Sequence, residues 1–190
     1  LTTARYLASD DGGAFRLGEV LGGVHELRFD TSQISPFSYV RNNPRSQRVF
    51  HPWSIVLTPD CDLDWDFKSR QSPGYSNNKL VTHVLLCDLE DQFALESDKR
   101  ITRQRDFERA KTYREERYHY LPISSVESGM ATPEYFLDFK RLFSVPLDSV
   151  YESEKHGLVH RNGYLRPPWI QHLTHRFTFF LGRVGLPDEE

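Results

Sequence analysis

The apolar positions of this chain fall mostly in short, strand-like runs. WSIVLT, residues 53 to 58, is β-rich and closed by Pro59, which predicts a buried strand. LVTHVLLCDLE, residues 80 to 90, is apolar on both faces for much of its length and predicts a second. Upstream, Phe15, Leu17, Val20, Leu21 and Val24 are interrupted by Gly18, Gly22 and Gly23, a pattern for two short strands or one bent strand. YHYLPI, residues 118 to 123, returns to strand. In EYFLDFKRLFSVPLDSVY the alternation of Tyr135, Leu137 and Phe139 with Asp138 and Lys140 predicts one or two more, broken at Pro146.

Helical spacing dominates in two places. Residues 96 to 117, ESDKRITRQRDFERAKTYREER, form a charged helix with Ser97 as its cap and a weak apolar stripe from Ile101, Ala110 and Tyr113. Near the C-terminus, Pro168 suits a first helical position, and Ile170, Leu173, Phe177, Phe180, Leu181 and Val184 recur at helical spacing until Gly185 and Pro187 stop them. This second helix, roughly residues 168 to 184, is apolar over a broad arc and is expected to pack on the strands. Residues 31 to 48 and QSPGYSNN read as loops, and Asn162-Gly163 marks a turn. Short strands with one inserted helix and one closing helix give an α+β domain around a small, mostly antiparallel barrel, with residues 1–190 as a single domain.

The composition of the 190 residues fits that size. Thirteen Phe, nine Tyr and three Trp supply bulky core groups, and the formal net charge of -3 gives no global attraction to nucleic acid or anionic membrane. Cys61 and Cys87 are too few for a disulfide framework and read as reduced thiols of a cytoplasmic protein. No apolar run approaches the length of a membrane span. The chain begins at Leu1, which leaves a trimmed or processed terminus open.

Gly18-Glu19-Val20-Leu21, then His51-Pro52 leading into WSIVLT, then LVTHVLLCDL and FLDFKRLFSVPLDSVY, stand in an order that resembles the MazF/PemK family. The resemblance covers roughly residues 15 to 151, interrupted by the charged helix, and implies an SH3-like barrel. Typical members are ribonucleases of toxin–antitoxin systems that cut single-stranded RNA without a metal, using an Arg at an Arg-Pro step and a Thr or Ser after the central strand. Here His51 stands at the first place, with Arg48 nearby, and Cys87-Asp88-Leu89-Glu90 brings acids to the second. Acids beside a scissile phosphate repel it. The resemblance therefore implies a protein-binding or regulatory module of a bacterial defence or toxin–antitoxin-type system, with a neighbouring gene product as partner and a homodimer open. A metal-independent endoribonuclease using Arg48 and His51 is the alternative.

The chemistry-bearing clusters leave further readings open. Asp60, Cys61, Asp62, Asp64 and Asp66 follow Pro59 in one acidic row. Oxygen ligands suit Mg²⁺ or Ca²⁺, so Asp60, Asp62 and Asp88 are the candidates for a metal-dependent hydrolase, although the glycine and glutamate of a calcium loop are missing. The simpler reading makes Asp60 a helix N-cap with acids in the first turn and Cys61 a buried residue at the strand end. No cofactor is expected. Arg100, Arg103 and Arg114, with Tyr113 as a stacking group, form the best candidate surface for RNA or for an acidic protein. His172 and His175, three apart, are expected on the polar face of the last helix.

Overall fold

The two apolar runs expected to be strands lie side by side at the centre of a six-stranded antiparallel sheet. The computed structural model describes residues 4–10, 12–29, 46–72, 74, 77–125 and 131–183. Its strands are β1 (Tyr6–Leu7), β2 (Glu19–Phe29), β3 (Ser46–Val56), β4 (His83–Asp88), β5 (Tyr118–Leu121), β6 (Ser124–Ser125), β7 (Ala131–Thr132), β8 (Tyr135–Asp138), β9 (Leu142–Pro146) and β10 (His160–Leu165). The helices are α1 (Asp60–Arg70), α2 (Gln92–Ser97), α3 (Gln104–Lys111), α4 (Leu147–Lys155) and α5 (Trp169–Leu181). The large sheet runs β1-β10-β2-β3-β4-β9, while β5 pairs with β8 and β6 with β7. β9 also touches β2 although β3 and β4 lie between them, so the sheet curls into an antiparallel half-barrel. Strands β1 and β10 bring residues from both ends of the chain into that sheet.

Both faces of the central strands are covered, which is why LVTHVLLCDL is apolar without alternation. Leu86 joins Leu21, Val24, Val56 and Leu63 on the side closed by α1 and α4. Its neighbour Cys87 joins Val20, Ile55, Leu137 and Phe139 on the side closed by α5, which contributes Leu173, Phe177 and Phe180. A third cluster packs Leu95, Ile101, Phe107 and Ala110 of the α2–α3 segment against Tyr118 and Phe136 of the small sheet.

The 15–24 region is one bent strand. Val20 and Val24 of β2 have the same parity yet belong to opposite clusters, so the β2/β3 ribbon turns over between them. Gly23 takes φ 81° there, and a Cβ on it would stand 2.4 Å from the Leu158 carbonyl oxygen. Only glycine fits.

Several expectations are corrected. The charged helix over 96–117 is two short helices. Asp91 caps α2 by accepting the Ala94 N–H at 2.8 Å, Ser97 is the last residue of α2, and Lys99 at φ 56° breaks the run. The cause is tertiary: Leu95 and Ile101 are both drawn into the third cluster. After Pro146 the chain turns at once into α4, which buries Leu147 and Val150 at helical spacing. Asn162 and Gly163 lie inside β10, where Gly163 at φ 90° accompanies a register shift between Arg161 and Tyr164. β3 starts at Ser46, within the expected loop, and the remainder of that loop lies outside the described residues. α5 ends at Leu181 with Gly182 as C-cap; the stop signals Gly185 and Pro187 lie outside the described residues.

Candidate functional site

Three neighbouring strands bring Glu26, His51 and Asp88 together. His51 is 3% exposed and lies flat on Phe143 of β9, with ring centroids 3.7 Å apart and planes 8° from parallel. Its Nδ1 is 2.7 Å from Asp88 Oδ1, and its Nε2 is 3.1 Å from Glu26 Oε2. A neutral imidazole has one N–H, so which carboxylate receives it depends on the tautomer. Glu26 Oε2 also accepts a hydrogen bond from Arg28 Nε at 2.8 Å. Both ring nitrogens face carboxylates of the fold. The carboxylates flank the ring from opposite nitrogens and do not converge on a point. Among the described residues no three His, Cys, Asp or Glu side chains are grouped to hold a metal ion.

Beyond this cluster the ribbon leaves the sheet. β10 pairs with β2 only at Glu19, Leu21 and Gly22, and β4 pairs with β3 only over Ser54–Val56. Residues 24–29 and 46–51 continue to pair with each other. On one ribbon face His25 opposes Phe50 and Leu27 opposes Arg48. All four are exposed, Leu27 to 65% and Phe50 to 57%, and none is acidic. Glu26 sits on the other face with Val49 opposite. Leu27 and Phe50 are large apolar side chains left in water on a two-stranded ribbon, the kind of surface that marks an interaction site.

The sequence candidates are scattered by comparison. Arg48 and His51 are three apart on β3 and therefore on opposite faces, one exposed and one buried. Asp60 is the first residue of α1 and its carboxylate reaches back to the Leu17 N–H, with Oδ1 accepting at 2.6 Å. Pro59 is the N-cap, so Asp60 caps a neighbouring loop and not its own helix. Asp62 is exposed on α1, and Asp88 is engaged with His51. Asp66 is the buried member of the acidic row. It accepts Arg70 Nε at 2.6 Å and Nη2 at 3.0 Å, and the Val81 N–H at 2.9 Å. Cys61 is exposed on α1 instead of buried, while Cys87 is in the core, where burial pushes its thiol pKa well up.

Arg100, Arg103 and Arg114 do not form a stripe. Arg100 is buried among Glu90, Asp98 and Asp138. Asp138, fully buried, accepts Arg117 Nε at 2.7 Å and Nη2 at 2.6 Å. Arg103 is the exposed N-cap residue of α3, and Arg114 follows that helix. Tyr113 has φ 59° and donates its hydroxyl to the Tyr120 carbonyl at 2.9 Å. A cleft of about 720 Å³ beside α4 is lined by Tyr151, Glu154, His160 and Arg161. Its arginine is already saturated by Glu19, Glu154 and the carbonyls of Gly13 and Ala14.

Sequence reasoning missed Glu26 and Phe143 as partners of His51, and Leu27 and Phe50 as an exposed pair. The alternation HELRF was a strand signal, but the face left uncovered depends on where β4 and β10 stop. No helix of the described residues is long and apolar enough to cross a membrane. Comparison of the chain with protein-family models, with curated proteins and with solved structures finds no match.

Proposed function

We propose that this chain is a protein-binding, regulatory module, a divergent MazF/PemK-like protein on an SH3-like barrel that docks another protein on its projecting β2/β3 ribbon. The setting that resemblance implies is a bacterial toxin–antitoxin or defence system. The observation that carries the reading is the exposed face formed by His25, Leu27, Arg48 and Phe50. Its two apolar side chains are anchors for a pocket or strand of a partner, and its basic groups favour a partner segment that is acidic as well as apolar. The buried polar groups support the same reading. Arg100, Arg161 and Asp138 are each neutralised by neighbours within the fold, and His51 is hydrogen-bonded and stacked there, which favours a structural role for all four.

The test uses the full chain and the products of its neighbouring genes. Leu27→Ser and Phe50→Ser each weaken a partner by about 10-fold or more, as loss of an apolar anchor does. The same protein is incubated with single-stranded RNA, with and without EDTA. EDTA-insensitive cleavage that disappears in Arg48→Ala would overturn the binding reading in favour of the endoribonuclease. EDTA-sensitive cleavage would favour the metal-dependent hydrolase.

A further inference from the structure

His119 lies on β5 beneath α5. It is 2% exposed, and its Nδ1 has no hydrogen-bond partner. α5 brings two groups to it. The ring of His172 is 5.2 Å from that of His119 and stands edge-on to Tyr113 at 4.5 Å and 88°. One turn further on, Arg176 donates to the carbonyl oxygens of Tyr113 at 3.1 Å, Glu115 at 2.8 Å and Tyr118 at 2.9 Å. Tyr113 closes one side of His119 at 5.5 Å and Phe139 another at 6.3 Å.

The charges around the pair are of one sign. Arg176 acts on both imidazoles, and His175 of α5 acts on His172. Arg5 acts on Tyr113, while Glu115 and Glu116 act on Arg176, with Glu116 also 3.9 Å from Arg183. Among the described residues no carboxylate is hydrogen-bonded or ion-paired to His119 or His172, and no third ligand joins them to form a metal site. Two imidazoles are packed at one seam beside a guanidinium, and the carboxylates of Glu115 and Glu116 act on that guanidinium and not on the imidazoles.

We propose that α5 is an acid-released latch: protonation of the His119–His172 pair lifts the helix from the strand it covers. The docked seam rejects protons. Burial, with His172 and Arg176 adding to it, pushes the His119 pKa down to about 3, and burial with Arg176 and His175 lowers that of His172. An imidazole freed into water titrates near 6.5. Above that pH the docked and lifted forms carry the same protons, and the seam is stable. As pH falls from 6.5 toward 3, the lifted form takes up a proton at His119 that the docked form refuses. Each pH unit then shifts the balance toward the lifted form by about 10-fold, roughly 30-fold at pH 5, before His172 contributes. Lifting uncovers Leu173, Phe177 and Phe180 and the cluster beneath them, including Phe139. The Asp138 carboxyl is held below its ordinary value of 3.8, so its pairs with Arg100 and Arg117 persist down to pH 5.

Amide hydrogen exchange on the full chain at pH 7.5, 6.0 and 5.0, corrected for intrinsic rates, tests the latch. The expected result is that protection over residues 173–181 falls about 10-fold per pH unit below 6.5 while amides of β3 and β4 keep theirs. His119→Phe, which keeps the packing and removes the titrating group, flattens the dependence; His172→Gln, on the half-exposed side, reduces it. Unchanged α5 protection between pH 7.5 and 5.0 overturns the proposal. So does parallel loss in α5 and the central strands, which is global unfolding, or a slope that persists in both variants.

Discussion

His51 and Phe143 stack face to face, 3.7 Å between centroids, and that contact ties β3 to β9 across β4. The apolar face of the imidazole completes the core packing while its two nitrogens face Asp88 and Glu26. His51→Ala therefore removes a packed ring and leaves two part-buried carboxylates facing each other. The expected loss is about 2–4 kcal/mol, read as a lower denaturant midpoint. Were His51 instead a spare catalytic group, the variant would keep its stability.

Glu19 and Arg161 are both almost fully buried, with Arg161 Nε 2.7 Å from Glu19 Oε1 and Nη2 2.9 Å from Oε2. Arg161→Met strands the Glu19 carboxylate and also frees the Gly13 and Ala14 carbonyls, at a cost of about 3–5 kcal/mol. In a double-mutant cycle with Glu19→Gln the two losses are expected to fall well short of adding, because each removes the same pair. Full additivity in urea titrations would show that the pair is not coupled.

Asp60→Ala removes the acceptor of the Leu17 N–H and costs about 0.5–1.5 kcal/mol. Asp62→Ala, at an exposed position, stays within about 0.5 kcal/mol of the parent. Millimolar Mg²⁺ or Ca²⁺ leaves the thermal midpoint in place; a rise with either cation that Asp60→Ala and Asp62→Ala abolish would revive the acidic row as a binding site.

Asp138 gives a second, lower pH window. Burial alone raises a carboxyl pKa, but hydrogen bonds from Arg117, the Lys140 N–H and Arg100 outweigh it and hold Asp138 below the ordinary value of 3.8. A depressed carboxylate stabilises the fold above its unfolded pKa, and that stability disappears as pH falls through the folded value. Acid loss of the β5/β8 sheet that carries Asp138 thus belongs below about pH 3.8, and Asp138→Asn is expected to weaken that transition while lowering stability at pH 7. Equilibrium unfolding followed between pH 7 and 2 separates this event from the release of α5.

Gly23→Ala places a Cβ against the Leu158 carbonyl at a backbone angle that L side chains rarely adopt. It is expected to cost about 2–3 kcal/mol. In contrast, Leu27→Ser and Phe50→Ser, beyond the same turnover of the ribbon, leave stability within about 0.5 kcal/mol because their side chains are already in water. Thermal melts of the three variants make that comparison, and a large loss at Phe50 would mean that the ribbon face is covered within the chain itself.

Legibility differed sharply between elements. Residues 53–58, 80–90 and 118–123 read as strands and roughly 168–184 as a helix, and strands ending at Val56, over His83–Asp88 and over Tyr118–Leu121 and a helix over Trp169–Leu181 fall within or across those ranges, because each carries its apolar period within a few residues. The 96–117 segment has helical composition throughout, yet Lys99 leaves helical geometry so that Ile101 can reach a core built from β5 and β8. Its charges suggested a binding stripe; in space Arg100 neutralises Glu90 and Asp138 from other elements. The α4 helix was present as Leu147, Val150 and Tyr151, but the alternation before Pro146 pulled the reading toward strand.

The acidic row shows where the division falls. That Pro59 ends a strand and Asp60 begins a helix is written in local sequence, since proline φ and first-turn acids act within one turn. That Asp60 serves Leu17, 43 residues away, that Asp66 is buried on Arg70, and that Asp88 meets His51 across two strands are consequences of register and curl. Local physical preferences determined which residues form strands and helices. Only the assembled sheet decided which carboxylates are neutralised, which ribbon face stays in water and which histidines lie at a seam without a counter-charge, because those depend on distances between segments that no local preference encodes.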